Sequence, residues 1–292
     1  MFLTQSEIDS QPAVWEAALE HTEAARDILA APGERLLILG CGTSAFVASS
    51  LAALREDAGL GETDAAYASE LPAGRRYDRV VAITRSGTTT EVVEALSAWG
   101  PSTRLSVITA VAGMPVERVS DDVLVLGFAD EQSVVQTRFP TTVLLLGRAG
   151  FGSDVTALPA ACRRAVETEL PVRVESIDHH VYLGRDWTIG LANEAALKIR
   201  EAAQAWSESY PAMDYRHGPI GVAGHRSAVW IFGSPPPRLV DDISATGAAV
   251  VTSEDDPLLQ LVMAQRVAVA LAAHRGLDPD RPRGLSRSVI LA

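Results

Sequence analysis

The sequence predicts an α/β protein built from two doubly wound parallel sheets, one following the other along 292 residues. Three observations carry this. Short apolar runs, Leu36-Leu37-Ile38-Leu39 and Val80-Val81-Ala82-Ile83 among them, have the character of strands buried on both faces of a parallel sheet. Most such runs lead through a turn into a segment of helical periodicity, the alternation that winds such a sheet. The plan is also stated twice: His180–Arg185 repeats the strand-then-glycine opening of Leu36–Gly42, and Ala228–Ser234 repeats the strand-then-turn of residues 80–87.

In chain order, residues 5–31 read as helix, with Ile8, Val14, Trp15, Ala18 and Leu19 near helical spacing and Pro12 near a helix start. This forms an N-terminal arm over residues 1–32. A first domain, 33–160, then has strands at 35–40, 65–69, 80–84, 105–110 and 122–126. Right-handed crossovers place the ends of its first and third strands, and so Ser44 and Ser86, at one edge of the sheet. Helices follow Asp130 and span 157–170. A second domain, 161–277, has strands at 180–185, 228–232 and 248–252 and a helix over 191–205. Pro211 bars that helix from running far past Trp206, so a loop is expected there. Residues 278–292 form a tail.

The net charge of −12 argues against nucleic acid or an anionic membrane as partner, so a phosphorylated ligand needs a local positive site. Cys41 and Cys162 form neither a metal-ligand cluster nor a disulfide framework, and no metal or organic cofactor is expected. The opening MFLTQSEIDSQP has no basic or apolar leader character, which makes the cytoplasm the expected location. Of the 25 basic residues all but Lys198 are arginine, so a mechanism that needs a lysine amine has a single candidate.

Two stretches carry chemistry. Val80–Glu91, VVAITRSGTTTE, is a strand that ends in Thr84, Arg85, Ser86, Gly87, Thr88 and Thr89 and then enters a helix. Hydroxyls, backbone N–H groups and the helix dipole converge there, which suits a phosphate; the same residues would also serve as a plain helix cap. Glu194, Lys198 and Glu201 fall at i, i+4 and i+7, one stripe of a helix. Such a stripe can be a row of exposed ion pairs, but its apolar flanks argue for a cleft, where a carboxylate beside a lysine is a reasonable general base. Beyond it, Arg216-His217-Gly218-Pro219 holds a histidine in a stiff turn, aimed for proton transfer or merely structural.

Together these residues resemble the SIS (sugar isomerase) domain family, specifically the tandem isomerase half of glucosamine-6-phosphate synthase and its stand-alone relatives. Cys41-Gly42-Thr43-Ser44 and Thr84–Thr89 look like its two phosphate-binding turns, and Glu131–Thr142, which includes Val134, like the segment closing its sugar pocket. Glu194–Lys198 with Glu201, then Arg216–Pro219, resemble its catalytic helix and ring-opening loop. Residues 281–289, with Ser286 and Arg287, resemble the terminal segment over its active site.

The resemblance implies two flavodoxin-like αβα domains in tandem, with the sugar phosphate on Thr43, Ser44, Thr84, Arg85, Ser86 and Thr89. It implies Glu201 as the proton shuttle between C1 and C2, with Glu194 and Lys198 setting its field. His217 would come from the neighbouring subunit of a homodimer to assist ring opening. Two departures matter. The synthase has glutamine where Arg85 stands, and an imine-forming lysine where Arg287 stands; arginine stays protonated and cannot form that imine. With no glutaminase segment in this sequence, glutamine-dependent amination is not expected. The implied activity is a phosphosugar aldose-ketose isomerase or an aminosugar-6-phosphate deaminase/isomerase. The alternatives are a non-catalytic phosphosugar sensor and a fructosamine-phosphate deglycase.

Overall fold

A computed structural model describes residues 2–291. The chain divides into two compact bodies, each discontinuous in sequence. Among the described residues, the first comprises 10–132, 138–159 and 286–291, and the second 2–9, 133–137 and 160–285. The segment expected as one arm over 1–32 is therefore shared between the bodies, and the tail expected over 278–292 divides after Leu285. The arm is not one helix either: α1 spans Leu3–Asp9, α2 Gln11–Ala18 and α3 Thr22–Leu29, with a single 3₁₀ turn at Leu19–His21. Pro12 opens α2 at a position where its missing N–H costs nothing.

The first body holds β1 (Leu36–Gly40), α4 (Thr43–Asp57), β2 (Thr63–Tyr67), β3 (Arg79–Thr84), α5 (Thr90–Ser97), β4 (Arg104–Thr109), β5 (Asp122–Val125) and α6 (Arg138–Gly150). Its five strands are parallel in the order β2-β1-β3-β4-β5. β1 and β3 are buried along their whole length, as unbroken apolar runs require. Leu37, Leu39, Val80, Ala82 and Val107 pack on one face with Val92 and Leu96 of α5. Because β1 and β3 pair directly, with Leu36 opposite Arg79, the turns after them share the C-terminal edge where ligands of such sheets bind.

The second body holds α7 (Leu158–Glu167, most of it), β6 (His179–Gly184), α8 (Thr188–Ala203), β7 (Trp206–Pro211), β8 (Ser227–Ile231), α9 (Leu239–Ser244), β9 (Ala249–Val251) and α10 (Pro257–His274). Its four strands are also parallel, in the order β7-β6-β8-β9. Val181, Leu183, Val229 and Ile231 pack with Leu239 and Ile243 of α9. On alternate positions Tyr182, Trp230 and Phe232 form an aromatic cluster with ring centroids 6.1–6.3 Å apart.

Two expectations in this body are corrected. Residues 206–211 are the edge strand β7, not loop: Pro211 stands at the end of an edge strand, where a lost ladder N–H is tolerated. What ends α8 is Gln204 in the left-handed conformation (φ +48°), with the Arg275 guanidinium donating to the carbonyls of Ala203 and Gln204 at 3.3 and 3.2 Å. α10 was not legible, because a helix apolar on all sides shows no stripe. It is long and apolar enough to cross a membrane by length and composition, yet 67% of it is buried inside the protein.

The repeated strand-then-glycine opening has a steric cause. A Cβ on Gly40 would lie 2.5 Å from Ser44 Cβ, and one on Gly184 would lie 2.2 Å from the Thr188 carbonyl oxygen. Only glycine lets each first helix start this close to its strand.

Candidate functional site

In the first body the turn after β3 is pinned from below. The Ala110 N–H and the Thr109 hydroxyl both donate to the Arg85 carbonyl, at 3.1 and 3.3 Å, and the Gly87 N–H donates to Thr84 Oγ1 at 3.3 Å. Gly87 has φ +67°, and a Cβ there would meet Met114 Cβ at 2.6 Å. Above this base stand Ser86, Thr88 and Thr89 at the head of α5. Their hydroxyl oxygens lie 3.1, 2.9 and 3.4 Å from a single oxygen, Ser288 Oγ of the tail. Three hydroxyls that converge on one oxygen at a helix N-terminus are the donor set an oxyanion takes. Thr43 and Ser44 open α4 one strand over, both buried.

Arg85 is 2% exposed. Its Nη2 donates to the Arg287 carbonyl at 2.9 Å and its Nη1 lies 3.8 Å from the Glu131 carboxylate, itself a hydrogen-bond acceptor for the Arg138 N–H at 2.9 Å. Arg287 in turn donates from Nε to the Glu131 carbonyl at 3.0 Å and pairs through Nη2 with the Asp130 carboxylate. Arg85 and Arg287 are thus engaged with each other's surroundings. Ser286 is exposed, and its hydroxyl donates to the Ser288 carbonyl at 2.8 Å.

In the second body the stripe on α8 is not a solvated row of ion pairs. Glu194 and Lys198 are each 1% exposed, while the Glu201 side chain keeps 19% of its surface. Lys198 Nζ lies 2.5 Å from Glu201 Oε2 and 3.2 Å from Glu194 Oε1. Burial by itself favours a neutral amine, but the two carboxylates outweigh it and hold the Lys198 ammonium above the ordinary lysine range. The arrangement therefore presents one partly exposed carboxylate, Glu201, paired with a fixed buried cation. Lys198, pinned and protonated, is not placed to act as a nucleophilic amine.

His217 ends a 3₁₀ turn, Asp214–His217, and is exposed, with Gly218 at φ +141° behind it. The turn is anchored through Arg216, whose Nε donates to Asp242 Oδ2 at 2.7 Å and whose Nη2 donates to the Pro237 carbonyl at 2.8 Å. Val134 is half-buried in a short segment held on either side: the Ser133 hydroxyl bonds the Glu7 carboxylate, and the Thr137 carbonyl accepts from Gln265 Nε2 at 3.1 Å.

The structure gathers Thr84, Arg85, Ser86, Thr89 and Arg287 in the first body and Glu194, Lys198 and Glu201 in the second. Thr88 and Ser288 join the turn although the sequence had not singled them out as ligands. Thr88 was visible as part of the hydroxyl cluster, whereas nothing local marks Ser288, two hundred residues away.

Cys41 follows β1 beside this turn, and both cysteines are free thiols. Burial and the nearby Glu91 carboxylate push the Cys41 thiol up to about 11, against a smaller opposing bond from the Ala68 backbone. It is not a poised nucleophile. At pH 8 iodoacetamide is expected to alkylate it about a hundredfold more slowly than a thiol at the usual value near 9. Mass spectrometry of the reaction course checks this; modification at the free-thiol rate would contradict it.

No protein-family model matches the chain. Among curated proteins it is 29% identical over 261 residues to a glutamine–fructose-6-phosphate aminotransferase (isomerizing) from Pyrobaculum aerophilum, covering 73% of this chain and 43% of that protein. It is 27% identical over 304 residues to the protein of the same name from Methanothermobacter thermautotrophicus, covering 88% and 51%. The chain thus spans about half the length of the curated relatives it matches. Among solved structures, a glucosamine-6-phosphate deaminase from Thermotoga maritima superposes with a TM-score of 0.85 at 24% identity, covering 99% of this chain and all of that one. A tagatose-6-phosphate ketose/aldose isomerase from Escherichia coli superposes with a TM-score of 0.77 at 20% identity, covering 99% and 96%. These likenesses establish the parallel-sheet α/β fold of such proteins for this chain.

Proposed function

We propose that this chain is an enzyme of phosphosugar conversion, an aldose-ketose isomerase or an aminosugar-6-phosphate deaminase/isomerase. Its curated relatives and its structural neighbours carry names of that chemistry. The observation that carries the reading is Glu201, the partly exposed carboxylate of an otherwise buried triad. A module that only binds a phosphosugar has no use for such a group, and burying charge is costly.

In this reading the sugar phosphate rests on Ser86, Thr88 and Thr89 with Thr84, Thr43 and Ser44, and the dipole of α5 reinforces them. Glu201 carries a proton between C1 and C2 through an enediol or enolamine, with Glu194 and Lys198 setting its field. Arg287 offers no imine-forming amine, and the sole lysine is an ammonium in an ion triad, so proton transfer without a covalent imine between protein and substrate fits the residues present. For an aminosugar, water then attacks C2 of the imine produced from the enolamine and ammonia leaves. His217 assists ring opening, and the same reading has it donated across a cytoplasmic homodimer. Val134 lines the sugar pocket, and Ser286 and Arg287 bring in the tail.

Ammonia release and ketose formation from glucosamine-6-phosphate and galactosamine-6-phosphate test the proposal, together with interconversion of the matching aldose and ketose phosphates. Ammonia with a ketose phosphate identifies a deaminase, and interconversion without ammonia an isomerase. Binding of these sugars with neither turnover nor exchange of the C2 proton would overturn the enzyme reading in favour of a sensor.

The phosphate turn has its own test. A hydrogen bond to a charged group contributes about 1.5–3 kcal/mol, so losing two such donors in Ser86→Ala with Thr89→Ala is expected to weaken phosphosugar binding by about a hundredfold or more. The melting temperature should stay near that of the parent. Titration calorimetry reads the first and a thermal scan the second, and unchanged affinity would place the phosphate elsewhere.

A further inference from the structure

Residues 286–291 belong to the same body as the phosphate turn. Ser288 Oγ sits at the point where the Ser86, Thr88 and Thr89 hydroxyls converge. The next residue repeats the pattern with backbone: the Val289 carbonyl accepts from the N–H of Thr90, the first residue of α5, at 3.2 Å. The Leu291 N–H then donates to Thr90 Oγ1 at 3.0 Å. Two oxygens of the chain itself, one hydroxyl and one carbonyl, thus hold the hydroxyl donors and the helix-terminal N–H that would otherwise face a phosphate.

We propose that Ser288 and Val289 are a tethered occupant of the anion site, and that a phosphate group binds by displacing them. The inference rests on the reading of this turn as the phosphate site. Its energetics are favourable on three counts. A phosphate is a charged acceptor, and charge-assisted hydrogen bonds are roughly twice as strong as the neutral ones the tail makes. Little apolar surface holds the tail end down, since Val289, Ile290 and Leu291 remain 49%, 69% and 59% exposed. The chain is also fastened immediately before the displaced residues. Arg85 holds the Arg287 carbonyl, and Arg287 holds the Glu131 carbonyl and the Asp130 carboxylate. The tail can therefore swing from Ser288 onward without leaving the body, which makes the arginine pair an anchor and residues 288–291 the moving part.

The consequence is a self-imposed loss of affinity. A site open about a tenth of the time binds about tenfold more weakly than its intrinsic constant, and removal of the occupant restores the difference. The experiment uses inorganic phosphate and the full chain, measuring affinity by titration calorimetry and amide hydrogen exchange of the segment 286–291. Ser288→Gly removes the hydroxyl occupant, and Arg287→Gln loosens the anchor.

The expected result is that phosphate accelerates exchange in 286–291 of the parent protein and that Ser288→Gly binds phosphate up to about tenfold more tightly. Arg287→Gln should shift affinity the same way. Slower exchange with phosphate and weaker binding by Ser288→Gly would overturn the proposal and make Ser288 a ligand of the anion instead. Phosphate binding with no change in either would also overturn it and leave the anion site standing. Failure of the parent and both variants to bind phosphate would remove the anion-site reading, and this inference with it.

Discussion

Glu201→Gln is expected to lower turnover of the phosphosugar by about 10³-fold or more, the scale of a lost general acid–base. Glutamine keeps the size of the side chain and can still meet the Lys198 ammonium through its amide oxygen, but it cannot take a proton. Exchange of the substrate C2 proton with solvent should vanish, while phosphosugar binding should stay within about tenfold, about 1.4 kcal/mol. Proton exchange followed by NMR in deuterated water, beside a binding titration, separates the two. Loss of binding with exchange retained would show that Glu201 holds the sugar rather than moving its proton.

Lys198→Met is expected to cost about 3–5 kcal/mol of stability near neutral pH, because it leaves charge buried without its partner. Glu194, 1% exposed, would then face Glu201 across the space the ammonium had filled. The pH dependence has a definite sign. In the variant, the two carboxylates lose the cation between them, and like charges at short range favour protonation of one, so the folded state binds more protons. Stability relative to the parent then recovers as pH falls through the carboxylate range and is lost again as it rises. Glu194→Gln combined with Lys198→Met should cost less than Lys198→Met alone, since it removes the stranded charge. Urea denaturation at pH 5 and pH 7.5 checks both statements. A small, pH-independent loss would mean that the triad adds no electrostatic stability.

Much of this site was legible from short windows of sequence, and the limits of that legibility follow from physics. Val80-Val81-Ala82-Ile83 announces a strand buried on both faces because a parallel sheet covered by helices admits nothing polar there. The turn residues Thr84–Thr89 stood out because a strand, a glycine and a row of hydroxyls before a helix are all local features. The spacing of Glu194, Lys198 and Glu201 likewise follows from 3.6 residues per turn. Errors arose where a local signal had two outcomes. Pro211 reads as a helix stop or as the end of an edge strand, and the pairing of β7 with β6 decided for the strand. α8 ends earlier, at Gln204, because Arg275, just past the end of α10, supplies donors for its last carbonyls.

The sequence by itself determined the two parallel α/β units, the glycine openings at Gly40 and Gly184, the hydroxyl turn and the acid–base stripe, each set by residues within a few turns of one another. Only the tertiary structure decided that the Lys198 triad is buried with Glu201 as its exposed end, since burial depends on what packs over a helix and not on its own spacing. It alone brought Arg287 to Arg85 and Ser288 into the hydroxyls of Ser86, Thr88 and Thr89. Those contacts span about two hundred residues and leave no local periodicity. Their geometry exists only when the end of the chain returns to the turn after β3.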